Sequence, residues 1–332
     1  MIPTQALTYL AAALLLAYAL LSTITSSPAA SALTLKTRAL SQGQALSLVA
    51  ISQLLGFGAA SLLLGSTLPS WFVLLNDSRS LPLLLSALLT ALSWLLITWQ
   101  RRLPSSATQA LIGGLIGAYL MACQQENQLP FPLTNPWLLV PLLLAPPLIF
   151  LLSYLLVFPL FSLTQETYPA QINQNARTVL VLASSLTALA QGLLAGQRLL
   201  PLAGLVLALG SGQASSHFIL YLLLALALVL GACRASSRIS YHLTQQLVRS
   251  GPFRAAIAQS SSALALLLAQ ALWAAPLSPS QATSSALLGA GSNQSLSGVQ
   301  PRRILALLTI WALTLPINIL TAGAIYYLLT LA

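Results

Sequence analysis

The sequence predicts an all-α, multi-pass membrane protein of two related halves, with broken or re-entrant helices and roughly 10 to 12 membrane segments. Three observations carry that expectation. Of 332 residues, 57% are hydrophobic and only 5% charged, with a mean hydropathy of +0.87. Soluble domains run near one-quarter charged, and so few charges cannot coat a chain of 34.9 kDa. Charge-free stretches recur at lengths that suit bilayer spans of about 20 residues. One polar-then-apolar pattern occurs twice, 172 positions apart. This composition excludes a cytosolic enzyme, a secreted disulfide scaffold and a disordered regulator.

The charge-free stretches are 1–35, 39–76, 80–100, 103–125, 127–165, 178–197, 199–233, 255–301 and 304–332. Several exceed one span and are interrupted by Pro, Gly or Ser, at Ser22–Ser31, Gly65–Ser70, Pro130–Pro136 and Ala275–Ser285. The first imitates a secretory signal, with an apolar core Leu7–Leu21 followed by Ala30-Ser31-Ala32. No Lys or Arg precedes that core, so it reads as a retained first span. The halves divide as 1–165 and 166–332. Within the second, Arg234–Arg254 reads as a basic aqueous loop or surface helix, cytoplasmic if short basic loops face inward.

The net charge of +10 does not point to nucleic acid. The basic residues lie at the edges of apolar runs: Lys36 and Arg38, Arg79, Arg101 and Arg102, Arg234 and Arg238, Arg249 and Arg254, Arg302 and Arg303. There they set orientation and anchor helix ends on anionic lipid. Cys123 and Cys233 are far apart, His217 and His242 are isolated, and no metal, redox centre or other cofactor is expected. The three acids, Asp77, Glu126 and Glu166, sit in the loop-like strings NDSR, CQQENQ and TQETYP. A membrane-embedded enzyme would need Asp, Glu or His inside a span, so no enzyme activity is expected.

The repeated pattern begins Pro104-Ser105-Ser106-Ala107-Thr108-Gln109-Ala110 and, 172 positions on, Pro276-Leu277-Ser278-Pro279-Ser280-Gln281-Ala282. Each copy runs into a small-residue apolar stretch ending in Gly-Ala, at Gly117-Ala118 and Gly289-Ala290. Paired, Pro-interrupted short segments in corresponding halves mark repeat-built secondary transporters. A Pro followed by hydroxyl residues opens a half-helix whose first backbone N–H groups lack partners and lie at its positive end. An oxyanion satisfies such donors, and Ser and Thr hydroxyls add neutral ones. Ser106, Thr108, Gln109, Ser278, Ser280 and Gln281 are therefore candidate substrate-binding residues. The same hydroxyls could equally serve as simple helix caps.

At these residues the chain resembles the inorganic phosphate transporter (PiT, sodium-phosphate symporter) family. That family carries a PVSSTHALIGGLIGA-like stretch, similar to Pro104–Ala118, and a PVSTTH stretch, similar to Pro276–Gln281. Arg302-Arg303-Ile304 and Trp311–Pro316 resemble its arginine pair and W-x-x-TLP segment, and Arg38–Ser41 with Gln44-Ala45 resembles the end of its first signature. The resemblance implies transport of inorganic phosphate or a similar oxyanion, with the Ser-Thr stretches touching the anion. It also implies a broken element near 23–36 and 190–200 in the two halves, paired with Ser/Thr elements near 104–118 and 276–290. Thr25, Ser26 and Ser27 would then face the site.

The departures from the family matter as much. Its GANDxxN-type signature should fall near 23–29 and again near 192–197, yet both Asn-Asp pairs are missing, and each SSTH histidine is a glutamine, Gln109 or Gln281. In the family those Asn-Asp pairs are associated with cation coupling. A hard cation wants oxygen ligands and a carboxylate to offset its charge, and no span here holds one. Two readings stay open: an oxyanion transporter without ordinary sodium coupling, or a non-transporting homologue that is a structural subunit of a larger membrane complex. The expected partners are phosphate or a similar oxyanion, membrane lipids, and either a second copy in a homodimer or other membrane-complex subunits. A bacterial-type inner membrane is the expected location, or an internal membrane for a complex subunit.

Overall fold

The computed structural model describes residues 4–63, 80–126, 136–210, 214–235, 237–241, 243–244, 250–273, 276–292 and 301–331. Asp77, Arg79, Gly65–Ser70, His242, Arg249 and most of Pro130–Pro136 lie outside them. The described residues form twelve helices and no strand: α1 Thr4–Ser26, α2 Pro28–Lys36, α3 Gln42–Leu63, α4 Ser80–Gln100, α5 Ala107–Gln125, α6 Pro136–Leu163, α7 Pro169–Leu209, α8 Ala214–Cys233, α9 Ser237–Tyr241, α10 Pro252–Trp273, α11 Pro279–Ser292 and α12 Pro301–Leu331. Seven stretches are long and apolar enough to cross a membrane: α1 with α2, then α3, α4, α5, α6, α7 and α12. The chain is an integral, multi-pass membrane protein. Leu143, Leu148 and Phe158 on α6, Phe218 and Leu222 on α8, and Leu320 and Leu328 on α12 stay exposed, as apolar side chains facing lipid do. α6 keeps Pro141, Pro146, Pro147 and Pro159 inside a helix, which a membrane span tolerates where neighbours satisfy the freed carbonyls.

The repeat extends well beyond the two polar strings. Gln42 and Ala214, Ser80 and Pro252, and Ala107 and Pro279 each open corresponding helices 172 residues apart. Packing then crosses between the halves. α5 lies on α12 while α11 lies on α6, and α3 lies on α7 while α8 lies on α1. Small residues permit these approaches. A Cβ on Gly117 would collide with the Ile319 carbonyl of α12, and one on Gly289, its counterpart, with the Phe150 carbonyl of α6.

The breaks follow local chemistry. α1 and α2 are parted by a single residue, Ser27, with Pro28 opening α2, inside the expected Ser22–Ser31 interruption. α4 ends in a left-handed residue, Arg102 (φ 63°), and the Leu103 N–H donates to the Thr98 carbonyl at 3.1 Å. That six-to-one closure satisfies the last carbonyls and turns the chain inward. Residues 103–106 follow as a non-helical, mostly buried segment.

Two sequence expectations need correction. No break occurs near 190–200: α7 is continuous for 41 residues, with Pro201 inside it. Gly192 and Gly196 serve close packing on α3 instead of ending a helix; a Cβ on Gly192 would strike the Gln53 carbonyl. Within Arg234–Arg254, α9 buries Ile239, and Arg254 belongs to α10, donating to the Ala290 carbonyl at 2.8 Å. Pro104 does not itself open a helix, since α5 begins three residues later.

Candidate functional site

The N-terminus of α5 is built from inside the protein. Ser106 is extended (φ −97°, ψ 107°) and its Oγ accepts the Gln109 N–H at 3.1 Å, an N-cap. Ser105 is bonded to Thr98 of α4, Oγ to Oγ, at 2.7 Å. The Trp311 indole donates to the Pro104 carbonyl at 3.2 Å, tying this segment to α12. α11 repeats the arrangement: Ser278 Oγ accepts the Gln281 N–H at 3.4 Å, and its carbonyl accepts the Ala282 N–H at 2.9 Å. Ser106, Thr108, Gln109, Ser278, Ser280 and Gln281 are all buried.

The two copies meet. Gln281 Nε2 donates to Gln109 Oε1 at 3.0 Å, across the 172-residue offset. Equivalent residues of two repeats can touch only next to the pseudo-twofold axis relating them, so both half-helix N-termini converge there. Gln109 Nε2 donates in turn to the Leu142 carbonyl of α6 at 3.3 Å. A cleft lined by Leu142, Pro146, Leu277, Ser278 and Gln281 reaches this amide pair but is too narrow for a water molecule. The conformation is closed on that side.

The residue that sequence reasoning missed is Arg198. It separates two charge-free stretches and so reads as a span boundary, whereas in the fold it lies inside α7 with 8% of its surface exposed. Its Nη1 donates to Thr108 Oγ1 at 2.8 Å and its Nε to the Leu194 carbonyl at 3.1 Å. Tyr18 of α1 stands beside the guanidinium, and its hydroxyl donates to the Ala107 carbonyl at 2.9 Å. Among the described residues no carboxylate pairs with Arg198; Glu126 lies past the far end of α5 and Glu166 between α6 and α7. The available signal was the single cation in 178–233, a stretch with too few polar residues around it to form an aqueous loop.

Thr25 and Ser26 close the end of α1, next to the Ser27 break. Thr25 Oγ1 turns back to the carbonyls of Leu21 and Ser22 at 2.9 and 3.0 Å. Around the Ser27 break lies a second buried polar cluster. Gln191 Nε2 donates to the Ser26 carbonyl at 3.2 Å, and Gln53 Nε2 donates both to Ser27 Oγ at 3.2 Å and to Gln191 Oε1. The Ala29 carbonyl accepts from Gln259 Nε2 at 3.1 Å and from Thr283 Oγ1 at 3.2 Å. This last bond links the cluster to α11, four residues from Pro279. Among the described residues Gln53 Oε1 and Gln259 Oε1 have no hydrogen-bond donor. Among the described residues no group of His, Cys, Asp or Glu could hold a metal.

Known proteins resemble the chain along most of its length. A model of the "Phosphate transporter family" matches it twice, over residues 24–167 and 160–322. A "Probable low-affinity inorganic phosphate transporter" of Bacillus subtilis (strain 168) is 26% identical over 249 residues, 74% of this chain and 73% of its own. A protein of the same description from Rhizobium meliloti (strain 1021) is 25% identical over 246 residues, covering 73% of this chain and 72% of its own. The solved structure of "The sodium-dependent phosphate transporter" superposes with a TM-score of 0.75 over 98% of this chain and 99% of that one, at 18% identity. That superposition concerns the fold.

Proposed function

The chain belongs to the phosphate transporter family, and from that premise we propose that it carries inorganic phosphate, or a similar oxyanion, across a bacterial-type inner membrane without ordinary sodium coupling. The observation that carries this reading is the Gln109–Gln281 contact, which puts two capped half-helix N-termini at one point. Both ends present positive dipole charge and backbone donors, and Ser106, Thr108, Ser278 and Ser280 add hydroxyls. The curated relatives, described as phosphate transporters, support the same substrate. No observation favours the non-transporting alternative.

We read 1–165 and 166–332 as the two repeat halves, supported by the tandem family matches and the shared helix spacing. Lipid is the partner of the exposed apolar faces of α6, α8 and α12. Transport requires the closed cleft beside Gln281 to open, which separates or re-angles the two amide side chains.

The test is uptake of radiolabelled phosphate by proteoliposomes holding the purified full chain. Wild-type vesicles accumulate label and vesicles of Ser106→Asp do not, because that change places a negative charge among the donors. Unaltered uptake in Ser106→Asp would remove these residues from the site.

A further inference from the structure

We propose that Arg198 is the counter-cation of the oxyanion site: a fixed guanidinium that binds the anion itself and fills the charge role a co-bound cation would otherwise take. This rests on the oxyanion reading above and says how that site balances charge.

A buried guanidinium without a carboxylate is costly unless its charge is matched. Here it lies 92% buried, and its contacts among the described residues are neutral: the Thr108 hydroxyl, the Leu194 carbonyl and the Tyr18 hydroxyl. Those contacts orient it without neutralising it. Thr108 is the second residue of α5, so the charge sits at the positive end of a half-helix, where a cation is electrostatically disfavoured. Two positive features held together make sense around an anion. A guanidinium has five N–H donors; some are engaged by Thr108, Leu194 and the adjacent Tyr18 hydroxyl, and an oxyanion is the ligand whose paired oxygens suit the rest. The neutral residues at 23–29 and 192–197 agree with this, because one fixed positive charge already balances a monoanion.

A mechanistic consequence follows. With a monoanionic phosphate bound, the site is neutral; empty, it carries a bare buried charge. The loaded form therefore reorients more readily, and exchange of anion for anion outpaces net flux.

The experiment uses the purified full chain in nanodiscs and proteoliposomes, with inorganic phosphate as probe. Arg198→Met replaces the guanidinium by an apolar chain, which removes an unmatched buried charge and should leave the protein folded by gel filtration and at least as heat-resistant as wild type. Its phosphate binding is expected to fall by about 100-fold or more, as for loss of a bidentate charge-assisted contact. Arg198→Lys keeps the charge but not the fork, and should lose about 10-fold. Wild-type vesicles should exchange internal for external phosphate several-fold faster than they release it into phosphate-free buffer.

A folded Arg198→Met that binds phosphate like wild type overturns the proposal while leaving the transport reading intact. So does wild-type net efflux as fast as exchange, since the empty site would then be moving its charge freely. If the wild-type chain binds and moves no phosphate, the transport reading and this inference fall together. An Arg198→Met that fails to fold shifts the decision to Arg198→Lys: wild-type affinity there overturns direct bidentate binding, and a loss of about 10-fold supports it.

Discussion

The two half-helices, α5 and α11, are near copies, whereas the elements that feed them are not. Each half-helix is capped by a serine three residues before a glutamine, and the glutamines touch. In the first half the feeding element is broken at Ser27 and carries no charge before Lys36, in the last turn of α2. In the second, α7 is unbroken and carries Arg198. On the 172-residue offset, Arg198 stands where the first half has Ser26, next to the break. Ser26 offers its carbonyl to an amide, and Arg198 reaches across to Thr108 of the other half. A geometry that is symmetric in its donors is thus asymmetric in its charge.

The largest way to break that symmetry is through packing. Gly117→Leu and Gly289→Leu would each drive a side chain into the backbone of the opposing long helix, at Ile319 or Phe150. Each should cost about 3 kcal/mol, at the upper end of overpacking, read as a lowered melting temperature and lost monodisperse protein. Gly58→Ala, where a Cβ meets nothing within 4 Å, is the control and should be neutral or slightly stabilising. If Gly289→Leu is harmless while Gly117→Leu is not, the halves do not pack equivalently.

Next in size is the pair Ser106→Asp and Ser278→Asp. Both place a carboxylate in a buried donor set, and both should cut phosphate uptake by about 100-fold or more. Stability should part them. A new carboxylate at Ser106 has Arg198, already bonded to Thr108 two residues on, to pair with, whereas one at Ser278 lies in the half whose cap has no identified cation. Ser278→Asp should therefore be the less heat-resistant variant. The reverse order would mean that Arg198 is not the charge asymmetry between the copies.

A smaller effect tests the contact between the copies. Gln109→Leu or Gln281→Leu removes one amide and leaves its partner buried with an unmet group, costing about 1–3 kcal/mol. The double variant removes both groups and should cost about 1 kcal/mol less than the sum of the singles. Additive costs in a double-mutant cycle would show that the two side chains act independently.

What was legible in the sequence followed from chemistry that is local. Composition implied membrane helices, and Pro104–Gln109 with Pro276–Gln281 announced paired half-helices because caps and prolines act over one turn. The broken element that the resemblance implied near 190–200 was not there, because Gly192 and Gly196 serve contact with α3 inside an unbroken α7. Thr25 spends its hydroxyl on the preceding turn, as a buried helical threonine commonly does. Arg198 was invisible for a different reason. In a chain so poor in charge a lone arginine ordinarily marks the membrane edge, and only the unbroken α7 shows that it lies within a helix. Gln53, Gln191 and Gln259 escaped likewise, since isolated amides in apolar runs form a cluster only after folding.

That amide cluster bears on the smallest expected effect, which is none. A helix break such as Ser27 frees backbone carbonyls, and free carbonyls are what a sodium ion would use in a repeat-built transporter. Here the Ser26 carbonyl takes the Gln191 amide, and the Ala29 carbonyl takes both Gln259 and Thr283. Neutral N–H and O–H donors thus occupy the oxygens a cation would need, and neither acid among the described residues, Glu126 or Glu166, lies in α1, α2 or α7. In the other half Leu194 and Ala195 offer no side-chain ligand, and the Leu194 carbonyl is taken by Arg198. Phosphate exchange by reconstituted vesicles should therefore change by less than about twofold when potassium or choline replaces sodium, against a factor of 10 for every 1.4 kcal/mol of lost cation coupling. A steep sodium dependence would point to Gln53 Oε1 and Gln259 Oε1, the two unmet amide oxygens, as cation ligands. Gln53→Leu would then abolish that dependence, and Arg198 would lose its claim to be the cation of the site.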